Sequence, residues 1–131
     1  MGNQTAFFRR QMSPKHKAQA LAITCIDYRF QKTIDEDLEN RGLLGSVDRI
    51  AWPGAAKDHD SVFNAAQVSL RLHDPDQLLI YEHVDCGAYG KDNSEGTHRA
   101  NAQKLAADLI KIKPELQITL LMATFEGIKE I

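Results

Sequence analysis

Four short apolar segments, separated by stretches with helical spacing, constrain this chain of 131 residues more than any other feature. They are Ala20–Ile26, Val47–Trp52, Gln77–Tyr81 and Ile118–Thr124. Together they are rich in Ile, Leu and Val and lack strict polar alternation, the pattern of strands covered on both faces. Between the first two, Phe30–Asn40 ends just before Gly42, a helix stop. Across 61–72, Val62, Ala65, Ala66, Val68, Ser69 and Leu72 recur at helical spacing, and His73-Asp-Pro75 closes the run. Across 97–113, Ala100, Leu105, Ala106, Leu109 and Ile112 form one stripe, with Pro114 just beyond it. Alternation of this kind predicts an α/β fold: a mainly parallel, four-stranded sheet flanked by helices, with right-handed crossovers.

The length suits one domain able to bury a core unaided. Residues 1–17 read as an N-terminal arm and 18–131 as the domain; the adjacent Phe7 and Phe8 of the arm favour packing over exposure to water. A composition of 43% hydrophobic and 26% charged residues excludes the disordered and fibrous classes. With a formal net charge of −2 there is no basic excess to neutralise phosphates, so neither nucleic acid nor a membrane surface is an expected partner. No apolar run approaches the roughly 20 residues that span a bilayer, and Met1–Lys17 has no apolar core or cleavage site of the signal-peptide kind. The expected location is the cytoplasm. In that reducing compartment Cys25 and Cys86 are ligands or core residues rather than a disulfide.

Ligands of open parallel sheets collect at the carboxyl ends of strands, and two polar clusters fall there. The first strand ends in Cys25-Ile-Asp27-Tyr-Arg29 and the third in His83-Val-Asp-Cys86-Gly87. If these strands are neighbours, Cys25, His83 and Cys86 converge as two thiolates and an imidazole, a soft set suited to one zinc ion. The alternative is two small buried thiols and a satisfied core histidine. Asp27 and Arg29, two apart, share a face in an extended segment and can form a charge-assisted pair. Beside a metal, Asp27 has two roles open to it: accepting a hydrogen bond from metal-bound water, with Arg29 holding it ionised, or serving as the fourth ligand.

The pairing of Cys25-Ile-Asp-Tyr-Arg29 with His83-Val-Asp-Cys-Gly87, 58 positions on (83 − 25), resembles the β-class carbonic anhydrases. The resemblance runs from about Ala20 to Gly127. Arg49-Ile-Ala-Trp-Pro-Gly54 is similar to that family's Arg-Asn-Ala-Gly segment. It implies zinc at Cys25, His83 and Cys86, Asp27 and Arg29 as the catalytic dyad, and reversible hydration of carbon dioxide to bicarbonate. It also implies a homodimer or higher homo-oligomer.

Three departures accompany the match. The stretch from Asp35 to Gly45 shows no counterpart of the family's pocket Gln, Trp52 and Pro53 precede Gly54, and the sequence ends soon after the fourth run, so a fifth strand is not expected. Two other readings therefore stand beside the first: a hydrolase of carbonyl sulfide or carbon disulfide on the same site, and a catalytically silent zinc module closed by Asp27. His98 and Asp85 read as solvated loop residues, with a proton relay the sharper alternative. Asp58 and Asp60 complement a helix dipole.

Overall fold

The computed structural model describes residues 16–131. The expected packing of the Phe7-Phe8 arm lies outside them. Five strands, β1 (Ala20–Thr24), β2 (Val47–Ala51), β3 (Gln77–His83), β4 (Gln117–Thr124) and β5 (Gly127–Glu130), form one sheet in the order β2-β1-β3-β4-β5. The first four pair in parallel, and β5 runs antiparallel to β4. Helices α1 (Gln31–Asn40), α2 (His59–His73) and α3 (Glu95–Ile112) connect the parallel strands.

The fifth strand corrects the four-stranded expectation. Gly127-Ile-Lys-Glu130 is too short and too polar to register as an apolar run. It is held by the turn at Phe125-Glu126 and by ladder pairs such as Ala123↔Ile128. In covering the outer edge of β4 it removes a row of unpaired backbone groups. β3 also runs two residues further than its apolar run, because β4 supplies the pairs Glu82↔Met122 and His83↔Ala123. α3 begins earlier than its apolar stripe: Ser94 caps it, its Oγ accepting the Thr97 amide at 3.2 Å.

Alternate residues of the central strands face opposite sides. Leu21, Ile23, Leu78 and Ile80 pack with Val62 and Ala66 of α2 and with Leu105 and Leu109 of α3. Ala20, Ala22, Leu79 and Tyr81 pack with Ile34 and Leu38 of α1. All five β1 residues are buried, which explains the absence of alternation in that segment. With α1 on one face and α2 and α3 on the other, the chain leaves β1 and β3 in opposite directions. A crevice opens at the carboxyl ends of these two adjacent strands, the switch point where α/β sheets bind ligands. No described helix is long and apolar enough to cross a membrane.

Candidate metal centre

Three loops meet at that crevice. Cys25 directly follows β1, and the loop beyond it is pinned by its own side chains. The Asp27 carboxylate caps a 3-10 turn at Tyr28–Phe30, accepting the Arg29 amide at 3.0 Å. Gln31, first residue of α1, donates from Nε2 to the carbonyls of Cys25 and Asp27, both at 3.0 Å. The second loop leaves β3 at His83. It turns at Asp85, which takes a left-handed φ of 53°, and reaches Cys86 at the head of a 3-10 turn, Gly87–Tyr89. The third carries Gly54, whose amide lies 3.3 Å from Cys25 Sγ. Gly54 has φ 79°, and a Cβ there would come within 3.1 Å of the Ala88 side chain. Only glycine admits both the conformation and the approach.

Cys25, His83 and Cys86 are buried, and their donor atoms all lie within 4.8 Å of one another. The two sulfurs are 3.9 Å apart and unbonded. His83 Nδ1 donates to the Val84 carbonyl at 2.6 Å, and its ring stacks on Phe30 at 4.6 Å between centroids. Its Nε2 is the one buried side-chain nitrogen or oxygen without a hydrogen-bond partner among the described residues. Such orphans are rare because they leave desolvation uncompensated. This one is aimed at the two thiols, so the three residues form a group that can hold a metal ion.

Electrostatics separate the thiols. Burial alone would raise Cys25, but His83 and the amides of Gly54 and Asp27 outweigh it and bring the thiol below its usual range. Cys86 is pushed up, by burial first and then by its neighbour Cys25, against the opposing amides of Ala88 and Tyr89. Burial lowers His83, yet Cys25 and the Val84 carbonyl together carry it upward.

Asp27 and Arg29 form the ion pair their spacing suggested, but across the start of a 3-10 turn rather than along an extended segment. Arg29 binds the Asp27 carboxylate through Nε at 3.1 and 3.2 Å and through a terminal nitrogen at 2.7 Å. This contact holds the carboxyl at about 2, against the opposing effect of burial. The same guanidinium reaches across the crevice to Asp85, meeting its carboxylate at 3.1 Å and its carbonyl at 3.0 Å. One side chain thus ties together the two loops that carry the cysteines. Asp27 Oδ2 is 3.9 Å from the orphaned Nε2 of His83. A cleft of about 340 Å³ opens over the group, walled by Ile26, Asp27, Tyr28, Arg29, Pro53 and Ala88.

Sequence reasoning missed three residues. Gln31 carries no signal, since a Gln opening a helix is commonplace. Gly54 was visible only as part of a motif. Glu82 left a trace only as a lone carboxylate between the apolar run and His83. His98 is a correction: it is 1% exposed and bonded to Glu82 at 2.8 Å, not solvated. It is buried because Glu82 of β3 and the Tyr89 ring pack against the first turn of α3. Asp85 is exposed as expected, but it is engaged by Arg29.

A family model described as "Putative carbonic anhydrase" matches residues 15–126. An uncharacterised protein of Rickettsia conorii is 27% identical over 135 residues, covering 88% of this chain and 72% of its own length. Among solved structures, a β-carbonic anhydrase of Sordaria macrospora, described as tetrameric, aligns with a TM-score of 0.55 at 12% identity, over 99% of this chain and 88% of that one. A carbon disulfide hydrolase in its apo form aligns with a TM-score of 0.58 at 12% identity, over 98% and 85%. At such identities these structures speak to the fold, which they share with this chain.

Proposed function

Because the chain belongs to the putative carbonic anhydrase family, whose model spans residues 15–126, we propose that it catalyses the reversible hydration of carbon dioxide to bicarbonate on one zinc ion. The observation that carries this reading is the unpartnered Nε2 of buried His83, facing two thiols. The donor set fits zinc. Two sulfurs each about 2.3 Å from a tetrahedral ion lie about 3.8 Å apart, and the sulfurs here are 3.9 Å apart.

Cys25, His83 and Cys86 hold the metal. When bound, zinc lowers the pKa of a water it carries to about 7 and so supplies a nucleophile at neutral pH. Arg29 keeps Asp27 ionised, and the carboxylate therefore only accepts hydrogen bonds. Facing the cleft, Asp27 orients the attacking water through one of its protons. Ile26, Tyr28, Pro53 and Ala88 offer mainly apolar walls to a small, linear, uncharged substrate. Val84 fixes the His83 ring and leaves Nε2 as the free lone pair.

The contacts from Arg29 hold Asp27 to its own loop. They favour the dyad over Asp27 as a fourth ligand, and thereby the enzyme over the silent module. The same walls accommodate carbonyl sulfide or carbon disulfide, which share the linear frame. Ile26, Tyr28, Trp52 and Phe125 are exposed at or near the cleft, an apolar surface suited to burial in a homodimer or larger assembly. Two unbridged thiols suit the reducing cytoplasm. Stopped-flow measurement of carbon dioxide hydration by zinc-loaded protein, in parallel with carbonyl sulfide and carbon disulfide, tests the reading. Saturable hydration that rises toward alkaline pH is expected; a rate no greater than buffer at alkaline pH would overturn it. Light scattering at micromolar concentration checks the assembly, and a monomeric mass contradicts it.

A further inference from the structure

Outside the cysteine–histidine group, the most buried polar side chains converge on one carboxylate. Glu82 is 1% exposed. Its Oε1 faces His98 Nδ1 at 2.8 Å and also accepts the Tyr89 hydroxyl, while Oε2 meets the Ala56 amide at 3.4 Å. Around it the network closes: His98 Nε2 lies 2.6 Å from Asn93 Oδ1, Asn101 donates to the Tyr89 oxygen at 3.2 Å, and the Tyr89 and His98 rings stack at 3.6 Å. A carboxylate this buried is destabilising unless its partners are complete. Here they come from three separate segments.

Two of those segments, and β3 itself, also serve the candidate metal group. Glu82 precedes His83 on β3 but projects to the opposite face, toward α3, where its oxygens are taken up by Tyr89, His98 and Ala56. Tyr89 closes the turn headed by Cys86, its amide bonded to the Cys86 carbonyl at 3.1 Å. Ala56 follows Gly54 by two residues, and Gly54 supplies the amide facing Cys25 Sγ. His98 secures the whole unit to the first turns of α3. We propose that Glu82, with Tyr89 and His98, is a positioning unit that locks the Cys86 turn and the Gly54 turn against β3, setting the two sulfurs at the separation a single metal ion requires. This proposal rests on the metal reading above.

The test uses the full chain, titrated with Zn²⁺ against a chromophoric chelator and separately with Co²⁺, whose visible bands report ligand geometry. Tyr89→Phe removes one hydroxyl and keeps the ring on His98; Glu82→Gln keeps the shape and removes the charge. Wild type is expected to bind one ion. Glu82→Gln should lose about 10- to 100-fold in Zn²⁺ affinity and Tyr89→Phe about tenfold, the range seen when partners of metal ligands are removed. Both should shift the Co²⁺ spectrum. Leu109→Ala, in a buried α3 position outside the network, should lower stability yet leave affinity and spectrum at wild-type values. Wild type that takes up neither ion would defeat the metal reading, and the positioning role with it. Wild type that binds, alongside folded variants matching it in affinity and spectrum, would overturn the positioning role alone. If Glu82→Gln does not fold, Tyr89→Phe decides, because loss of a hydroxyl leaves the stacked ring in place.

Discussion

The two ends of the parallel sheet handle buried polarity in opposite ways. At the amino ends, polar groups answer one another. Lys113, 8% exposed, donates to the Asp74 carboxylate at 2.8 Å and the Pro75 carbonyl at 2.7 Å. Lys17 meets Asp76 at 2.8 Å, and Asp48 accepts from both Ser69 and His73. At the carboxyl ends, more deeply buried groups converge and leave Nε2 of His83 unanswered. The first arrangement is complete and therefore structural. The second is complete only with a further atom between its donors, and that difference separates a fold-holding cluster from a candidate site.

The largest effect that would break this contrast lies at the carboxyl end. Wild type should carry about one zinc per chain and Cys86→Ala none, as elemental analysis would measure, since two remaining donors make a poor tetrahedral site. Zinc at 1,000 times its dissociation constant should stabilise wild type by about 4 kcal/mol. The melting temperature of Cys86→Ala should not respond; equal zinc loading of the two proteins would end the distinction. Next in size, Asp27→Asn should retain the metal but lose about 10- to 100-fold in carbon dioxide hydration, the scale of a lost hydrogen-bonding partner at a metal site. Stopped-flow rates on zinc-loaded protein check this, and full activity would show that the site works without the dyad.

A smaller effect is expected at the amino end. Lys113→Met leaves the buried Pro75 carbonyl without its donor and should cost about 1–3 kcal/mol in urea denaturation, with zinc affinity unchanged. Any change in zinc affinity would mean that the two ends are coupled. The smallest effect concerns pH. Asp74 is held below the usual carboxylate range, first by Lys113 and then by Lys17, and Asp76 is held down chiefly by Lys17. A depressed folded-state pKa contributes stability that is present above the unfolded value, about 3.9, and is lost as pH falls through the folded value. The urea midpoint of metal-free protein should therefore drop below about pH 4, and drop less in Lys113→Met. Identical pH profiles would remove these ion pairs from the account.

Legibility in the sequence tracks how local the cause is. β1 was readable because all five of its residues are buried on a two-faced strand. β5 was not, because four residues with two charges become a strand only when the edge of β4 lies alongside. His98 was misread for a related reason: nothing near position 98 announces that a carboxylate from position 82 will arrive. Gln31 likewise acquires its role from two carbonyls whose direction depends on the loop they sit in.

By itself, the sequence determined the strand–helix alternation and the order of the parallel strands along the chain, and it marked Cys25, His83 and Cys86 at strand ends as a candidate ligand set, because periodicity and ligand chemistry are properties of neighbouring positions. Only the tertiary structure decided that β1 and β3 are adjacent and in register, with Thr24 opposite Tyr81. It alone decided that the sulfurs stand 3.9 Å apart, that Arg29 bridges both loops, and that Glu82 anchors the turns behind them. Those facts depend on distances between segments tens of residues apart, which hydrophobic burial and backbone pairing set together only when the whole sheet closes.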